Sequence, residues 1–394
     1  MLISIDFRKL GESVESYILD VMNEKTHTKM GLFMRGFLFV CSRFYRNAVQ
    51  FRNWLYDKGI FRRSALGCLV VSIGNLTCGG TGKTPVTEIF ARTLTDKGRK
   101  VAILSRGYKS KESSSTKKIF SFFHPKEENQ PPRIVSDGKN LLLSSDVAGD
   151  EPYMLASNLK DVVVLVDRDR VKSGRYAIKK FEVDTLILDD GFQYLDLKPH
   201  INIVLVDSTA PFHNHHVLPR GLLREPIKNI RKANYIFLTK SNGGNHIRHL
   251  KKFIEHHNRK AEIIECTHKP KYLENAFKKG DIQPLTFLKG KKISALSGIA
   301  KPESFEVFLK NFGAELVYTK RFTDHHNYSQ QEIINFINKS KRNGADIAIT
   351  TEKDSVRLPR LTRQDIDFYH LRIEIDILSG FESFEQCISR ICFR

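Results

Sequence analysis

The sequence predicts an α/β protein built on a mainly parallel sheet, and three observations carry that expectation. Short apolar, β-branched runs recur along the 394 residues: "CLVVSI" (68–73), "KVAILS" (100–105), "VVVLV" (162–166), "TLILDD" (185–190), "INIVLVD" (201–207), "YIFLTK" (235–240), "KISALSG" (292–298) and "DIAITT" (346–351). Helical periodicity lies between many of them, as at Val86, Ile89, Phe90, Thr93 and Leu94, and strands alternating with helices make parallel sheets with helical crossovers. The first run also leads into a glycine-rich turn and then a helix, "SIGNLTCGGTGKTP" (72–85), which is the context of a phosphate-binding loop.

Taken from the N-terminus, residues 1–29 mix acids and bases without a basic segment leading into an apolar run, so a secretory signal is not expected. Residues 30–60 read as an amphipathic helix. Arg35, Ser42, Arg43, Arg46, Gln50 and Asn53 fall in one stripe; Phe33, Phe37, Val40, Phe44, Phe51, Trp54 and Leu55 cover the other side, and Phe39 and Arg52 break the pattern. The longest uncharged stretch, between Arg35 and Arg43, is far short of the ~20 residues that cross a bilayer. The pattern fits a helix lying in a membrane interface and equally a helix packed on its own domain.

Residues 61–225 are expected to form a P-loop NTPase-like sheet domain, ending near "LPRGLLREP" (218–226), and residues 226–394 a second, smaller α/β domain. The Ser-, Lys- and Pro-rich stretch between Tyr108 and Val135 is too polar for a core element and reads as a surface excursion. Lys and Arg number 64 against 44 acidic residues, a formal +20, which favours anionic partners without choosing among them. Six cysteines form no CxxC pair, so reduced thiols and no zinc site are expected.

The loop departs from the usual GxxxxGK[ST] pattern at its first position, where Thr77 stands. The rest, Cys78, Gly79, Gly80, Thr81, Gly82, Lys83 and Thr84, keeps what a nucleotide site needs. The glycines permit positive φ, backbone N–H groups and the helix start face phosphate oxygens, Lys83 supplies a cation and Thr84 a hydroxyl for Mg²⁺. ATP with Mg²⁺ is the expected cofactor pair. Asp189 and Asp190 end the strand "TLILDD", where P-loop proteins hold the acid that orients Mg²⁺; Asp190 is the first choice and Asp189 the second.

Eight motifs then carry a resemblance. "GNLTCGGTGKTP", "SRGY" (105–108), "GDEP" (149–152), "DDGFQ" (189–193), "LPRGLLREP", "SGIAKPESF" (297–305), "FTDHH" (322–326) and "TTEKDSVRL" (350–358) occur in the order seen in the tetraacyldisaccharide 4'-kinases. From about Phe37 to Leu361 the chain resembles that family. The resemblance implies a monomeric enzyme at the cytoplasmic face of a bacterial inner membrane. Such an enzyme moves the γ-phosphate of ATP to the 4'-hydroxyl of a tetraacyldisaccharide 1-phosphate, a lipid A precursor, giving lipid IVA. A bilayer-resident substrate favours the interfacial reading of the helix at 30–60, and a membrane partner, not nucleic acid, for the positive charge. By the family's motifs Asp150 is the general base and His325 its partner, in preference to His326; a carboxylate paired with an imidazole suits deprotonation of a sugar hydroxyl. Glu151 joins the metal set. Arg106, Tyr108, Arg170, Gln193, Arg224 and Glu225 fall on motifs that line the substrate site. Tyr194, Arg220 and Leu222 depart from the family pattern.

Other classes fit less well. ParA/MinD-like ATPases, the main alternative, carry a Lys where Cys78 stands. A GTPase would need an Asp at Asn242 of "LTKSN" and a Gly at Phe192. Nucleic-acid binding is suggested by charge alone, without an aromatic-basic reading platform.

Overall fold

The computed structural model describes residues 17–18, 20–22, 24, 26, 28–107, 130–359, 361 and 365–393. Every run expected to be a strand forms one. The strands are β1 (Leu69–Asn75), β2 (Val101–Ser105), β3 (Arg133–Asp137), β4 (Val163–Val166), β5 (Thr185–Asp189), β6 (Ile201–Asp207), β7 (Tyr235–Thr239), β8 (Glu262–Asn275), β9 (Ile282–Pro284), β10 (Lys292–Ser297), β11 (Glu315–Arg321), β12 (Ile347–Thr351) and β13 (Asp367–Ser379). The helices are α1 (Lys29–Asp57), α2 (Lys83–Asp96), α3 (Ser145–Ala148), α4 (Asp150–Asn158), α5 (Arg170–Phe181), α6 (Asn245–His257), α7 (Pro302–Asn311), α8 (Gln330–Arg342), α9 (Glu352–Ser355) and α10 (Phe381–Cys392).

One continuous sheet runs β11-β10-β12-β13-β8-β7-β6-β1-β5-β2-β4-β3, with β9 added to β8. Its neighbours are parallel except at β3–β4, β8–β13 and β8–β9. The expected end of the first sheet near residue 226 is not met. β7 pairs in parallel with β6, Ile203 opposite Tyr235, and the first residues of β8 continue the ladder. The rest of β8 pairs antiparallel with β13, so a long two-stranded ribbon joins the two halves. Each half has its own core. Phe90, Ile103, Leu155, Ile187 and Phe237 belong to the first, and α10 returns to it from the chain's end through Phe384, Cys387, Ile388 and Ile391. Ile293, Leu309, Ile349 and Leu371 belong to the second. β3 lies at the edge of the stretch expected to be a surface excursion; residues 108–129 fall outside the described part.

Helix α1 starts at Thr28, whose hydroxyl accepts from the Gly31 amide at 3.0 Å, the usual N-cap device. Its orientation is the reverse of a core-facing amphipathic helix. Ser42, Gln50 and Asn53 of the polar stripe face the protein, while Arg43 and Arg46 stay exposed: Asn53 donates to Glu225 (3.3 Å), Gln50 to Asn229 (3.1 Å), and the nearby Tyr45 hydroxyl to the Arg224 carbonyl (3.1 Å). The apolar side faces out, with Phe33 70% and Phe44 73% exposed and Phe37, Val40, Phe51 and Trp54 exposed beside them. Among the described residues no helix is long and apolar enough to cross a membrane.

The two departures in "LPRGLLREP" meet the N-terminal extension. Arg220 donates to the Met22 carbonyl (3.2 Å) and pairs with Glu24. Leu222 packs against the small cluster of Val21, Met22 and Leu38.

Candidate active site

The phosphate loop lies between the end of β1 and the start of α2. Gly82, at φ +82°, caps α2 in the left-handed region, and a Cβ there would stand 2.7 Å from Nε2 of His268, so glycine is required for both reasons. Thr77 is tolerated because the backbone there is strand-like: it forms an antiparallel bridge with Leu223, and the Cys78 amide donates to the Leu222 carbonyl at 2.7 Å. The second half of the loop is held from β7. The Thr239 hydroxyl donates to the Thr81 carbonyl (2.7 Å), and Lys240 Nζ donates to the Gly80 carbonyl and to Asp207, both at 2.6 Å. The Thr81 hydroxyl accepts from Asn75 Nδ2 at 2.9 Å. Lys240 and Asn75 were not singled out by sequence; Lys240 belongs to the "LTKSN" stretch, considered only as a guanine-reading signal.

At the head of α2, Lys83 Nζ lies 3.4 Å from Asn75 Oδ1 and 3.7 Å from Asp190 Oδ1. Thr84 follows on the first turn, partly exposed. Arg224 NH1 donates to both oxygens of Asp190, at 2.9 and 2.7 Å. Burial opposes ionisation of Asp190, but the Lys83 and Arg224 cations outweigh it and hold the carboxyl below its ordinary range. Asp189 behaves oppositely. It is buried, accepts from the Ser105 hydroxyl at 3.1 Å, and is raised to about 7 by burial, then by the nearby charges of Glu151 and Asp190. Two adjacent acids are thus pushed apart by their surroundings.

The other predicted residues divide. Gln193 bridges the halves of the loop region, donating to the Asn75 carbonyl at 2.9 Å and accepting from Arg224 at 3.4 Å. Arg106 is exposed. Tyr108 lies outside the described residues. Arg170, expected to meet substrate or phosphate charge, is 4% exposed, lies over the Tyr194 ring at 5.0 Å and donates to the Asp190 carbonyl at 3.3 Å. Glu225 was expected to line the substrate site. It is fully buried beneath α1, its Oε2 accepting from Asn53, from Asn229 (2.6 Å) and from Lys232 (3.2 Å), so it ties the helix to the domain.

A second centre assembles at the head of α4. His325 Nδ1 lies 3.2 Å from Asp150 Oδ2, across 175 residues of chain. His326 turns away: its Nε2 is 3.1 and 3.2 Å from the Glu332 carboxylate and its ring stacks on Phe322. Two residues that the sequence reading did not assign complete the group. Arg357 Nε donates to Asp150 Oδ2 at 2.7 Å, and Lys353 Nζ is 3.0 Å from His325 Nε2. Both lie in "TTEKDSVRL", four residues apart at the end of β12, and that spacing puts them on one side of a helical turn. Burial works against ionisation of Asp150, but His325 and Arg357 together lower its carboxyl below the usual range.

Comparison with known proteins gives the same family. Residues 34–392 match the family model described as tetraacyldisaccharide-1-P 4'-kinase. The tetraacyldisaccharide 4'-kinase of Halothermothrix orenii is 32% identical, covering 96% of this chain and 98% of that protein. The enzyme of that name from Syntrophus aciditrophicus is 37% identical over 89% of this chain and 91% of its own. The crystal structure of LpxK from Aquifex aeolicus in complex with ATP superimposes with a TM-score of 0.70 at 30% identity, covering 91% of this chain and all of that one. With the family model, sequence identity and architecture agreeing over nearly the full length, the chain belongs to the tetraacyldisaccharide 4'-kinase family and is a kinase whose acceptor is a hydroxyl group.

Proposed function

We infer that this chain transfers the γ-phosphate of ATP to the 4'-hydroxyl of a tetraacyldisaccharide 1-phosphate, with Asp150 as the base. The observation that carries the assignment is the Asp150–His325 contact. It joins a carboxylate at the head of α4 to an imidazole far along the chain, and α4 also brings Glu151 within the electrostatic reach of Asp189. A sugar hydroxyl is a weak nucleophile, and a positioned carboxylate that takes its proton as the O–P bond forms supplies what the reaction lacks. Lys83 and the amides of the loop hold the phosphates that carry the leaving charge.

The donor set also suits Mg²⁺. Asp189 is pushed up to about 7 by burial and by two neighbouring acids, a strain that a divalent cation relieves. Thr84, Asp190 and Asp189, with Glu151 close by, would hold it together with phosphate oxygens and water, the form in which Mg²⁺ is usually bound. When bound, it neutralises charge on the transferring phosphoryl group.

The acceptor's acyl chains keep it in a bilayer, so the enzyme works at the membrane surface as a peripheral monomer, at the cytoplasmic face where ATP is found. The outward apolar face of α1, with Arg43 and Arg46 exposed beside Phe44, supports that reading. Two measurements test it. Thin-layer detection of label moving from ATP to a disaccharide 1-phosphate lipid tests the reaction; no transfer would overturn it. Charge reversal at Arg43 and Arg46 is expected to shift the protein toward the soluble fraction, each cation near an anionic surface contributing about 1 kcal/mol. Unchanged sedimentation at low and high salt would take α1 out of the membrane.

A further inference from the structure

Helix α6 carries a charge pattern that folding alone does not explain. Its inner side is apolar, with Ile247, Leu250 and Ile254 buried, and the opposite side gathers Arg248, His249, Lys252 and His256, all exposed. Glu255 is the only acid of the helix. Lys251, nearer the protein, pairs with Glu265 at 2.9 Å. Among the described residues, Arg248, Lys252 and, just past the helix, Arg259 have no acidic partner at ion-pair distance. Arg248 and Lys252 stand one turn apart, where like charges repel, and Arg248 lies in the first turn, where the helix dipole disfavours a cation. Both arrangements cost the isolated helix stability, and an anionic surface laid against it offsets both. Asn245, Arg248, His249 and Lys252 line a surface hollow of about 340 Å³.

The position of α6 says which anion. Tyr45 of α1 and Phe253 and Ile254 of α6 belong to one core cluster with Val204 and Ile236, whereas Ile203 and Tyr235, their neighbours along β6 and β7, face the opposite core. Both helices therefore lie on the same side of the sheet. A line of rings joins them: Phe39 of α1 meets His216 edge-on at 5.8 Å, His215 lies 5.8 Å from Phe253, and Phe253 lies 4.6 Å from His257. The cations of α6 thus adjoin the exposed apolar face of α1. A bilayer with anionic headgroups covers apolar and cationic surface together. Nucleic acid would need exposed rings to stack on, and Phe253 is half-buried against Phe212.

We propose that the outer side of α6 is a second membrane contact, which binds the phosphate headgroups of anionic lipids through Arg248, Lys252 and Arg259 while α1 places its apolar face in the bilayer beside it. The proposal rests on the reading that the enzyme works at a membrane surface, and it adds where the charge of that surface is read. A single interfacial helix lets the molecule roll about the helix axis. Two contacts side by side define a plane, so the phosphate loop and the base centre keep one height above the lipid.

The test is co-sedimentation of the full chain with phosphatidylcholine vesicles, with and without phosphatidylglycerol, at about 0.1 M salt, where charges still act over about 10 Å. The wild-type chain is expected to bind the anionic vesicles more tightly. Replacing Arg248, Lys252 and Arg259 together by Gln is expected to weaken that binding about 100-fold, about fivefold for each cation, and to leave binding to neutral vesicles as it was, since α1 is intact. A matched variant with Lys310, Lys339 and Arg342 replaced by Gln, exposed cations of α7 and α8, is expected to bind as wild type. Arg248→Lys with Arg259→Lys is expected to keep the binding. Equal losses in the two triple variants would reduce the effect to net charge and overturn the proposal. Anionic-vesicle binding that ignores the α6 substitutions but falls on charge reversal at Arg43 and Arg46 also overturns it, and leaves the membrane reading in place. Wild-type binding to neither kind of vesicle removes the membrane reading and the proposal with it. Tighter binding to single-stranded RNA than to anionic vesicles, lost in the α6 variant, overturns it in favour of nucleic acid.

Discussion

The phosphate loop runs through consecutive residues, Thr77 to Thr84, between one strand and one helix, and its shape is set by backbone: Gly82 in the left-handed region, the Leu223 bridge, and carbonyls caught by Thr239 and Lys240. The base centre draws Asp150 from one half of the sheet and His325, Lys353 and Arg357 from the other, joined through side-chain contacts. The contrast teaches where each region is vulnerable. A side chain lost from the loop removes a charge and leaves the scaffold standing. A side chain lost from the base centre removes part of the scaffold for its partners.

The largest effect is expected in the loop region. Lys83→Ala removes the cation facing the phosphates and Asp190→Asn removes a charge that Lys83 and Arg224 share. Each is expected to lower kcat by about 10³-fold or more, since phosphoryl transfer depends on electrostatic stabilisation. Melting temperature is expected to stay close to wild type because the loop's carbonyl and amide contacts are untouched. Turnover near wild type in either variant would place the phosphates elsewhere.

The base centre comes next. Asp150→Ala and His325→Ala are each expected to lower kcat by about 10² to 10⁴, the usual worth of a positioned base. The double variant is expected to be little slower than the worse single one, because the two share one task. Nucleotide affinity survives in all three, and His326→Ala turns over normally, its ring being held by Glu332 and Phe322. Full additivity in steady-state rates would mean that the two act separately, and the contrast with the loop would fail.

The same contrast explains what could be read from sequence. The apolar strands and the loop were legible because their determinants are local: alternation of runs, glycine spacing and a Lys-Thr pair at a helix start. The ribbon of β8 and β13 was not, since "ECTHKPKYLEN" carries Lys and Pro among its apolar residues and gains its strand character from pairing with a distant partner. His325 and His326 are indistinguishable in sequence, and only tertiary structure turns one to Asp150 and the other to Glu332. Arg170 and Glu225 are charged residues on family motifs, and sequence could not show that each is buried among internal partners. Arg220 and Leu222 looked like departures until the N-terminal extension supplied Met22 and Glu24 to meet them.

One residue tests how the two regions keep their spacing. Arg372, on β13, is 4% exposed and its guanidinium pairs with Glu88 of α2 and with Glu352, the first residue of α9. Asn158, the last residue of α4, donates to Glu352 at 2.7 Å and to Glu88 at 3.4 Å. Helix α2 begins with Lys83 and α4 with Asp150, while α9 carries Lys353. A single buried cation therefore ties together the three helices that carry Lys83, Asp150 and Lys353. Arg372→Met leaves the buried Glu352 carboxylate with Asn158 as its remaining donor, while Glu88 keeps Arg92, and breaking a buried pair costs about 3–5 kcal/mol. Arg372→Lys, which cannot bridge both acids in the same fork geometry, is expected to fall between. Burial holds the Glu352 carboxyl above its ordinary range, with Arg372 opposing, and losing Arg372 raises it further. A carboxyl raised in the folded state favours folding most at pH below its unfolded value, about 4.3, and that contribution is lost as pH rises through the folded value. The deficit of Arg372→Met in thermal melts is therefore expected to shrink as pH is lowered toward the unfolded value of about 4.3 and to widen as pH rises. At a temperature where the variant remains folded, kcat is expected to drop only about tenfold, since the reacting groups are all present and only their alignment suffers. Melting and turnover both equal to wild type would mean that the continuous sheet alone fixes the distance between loop and base.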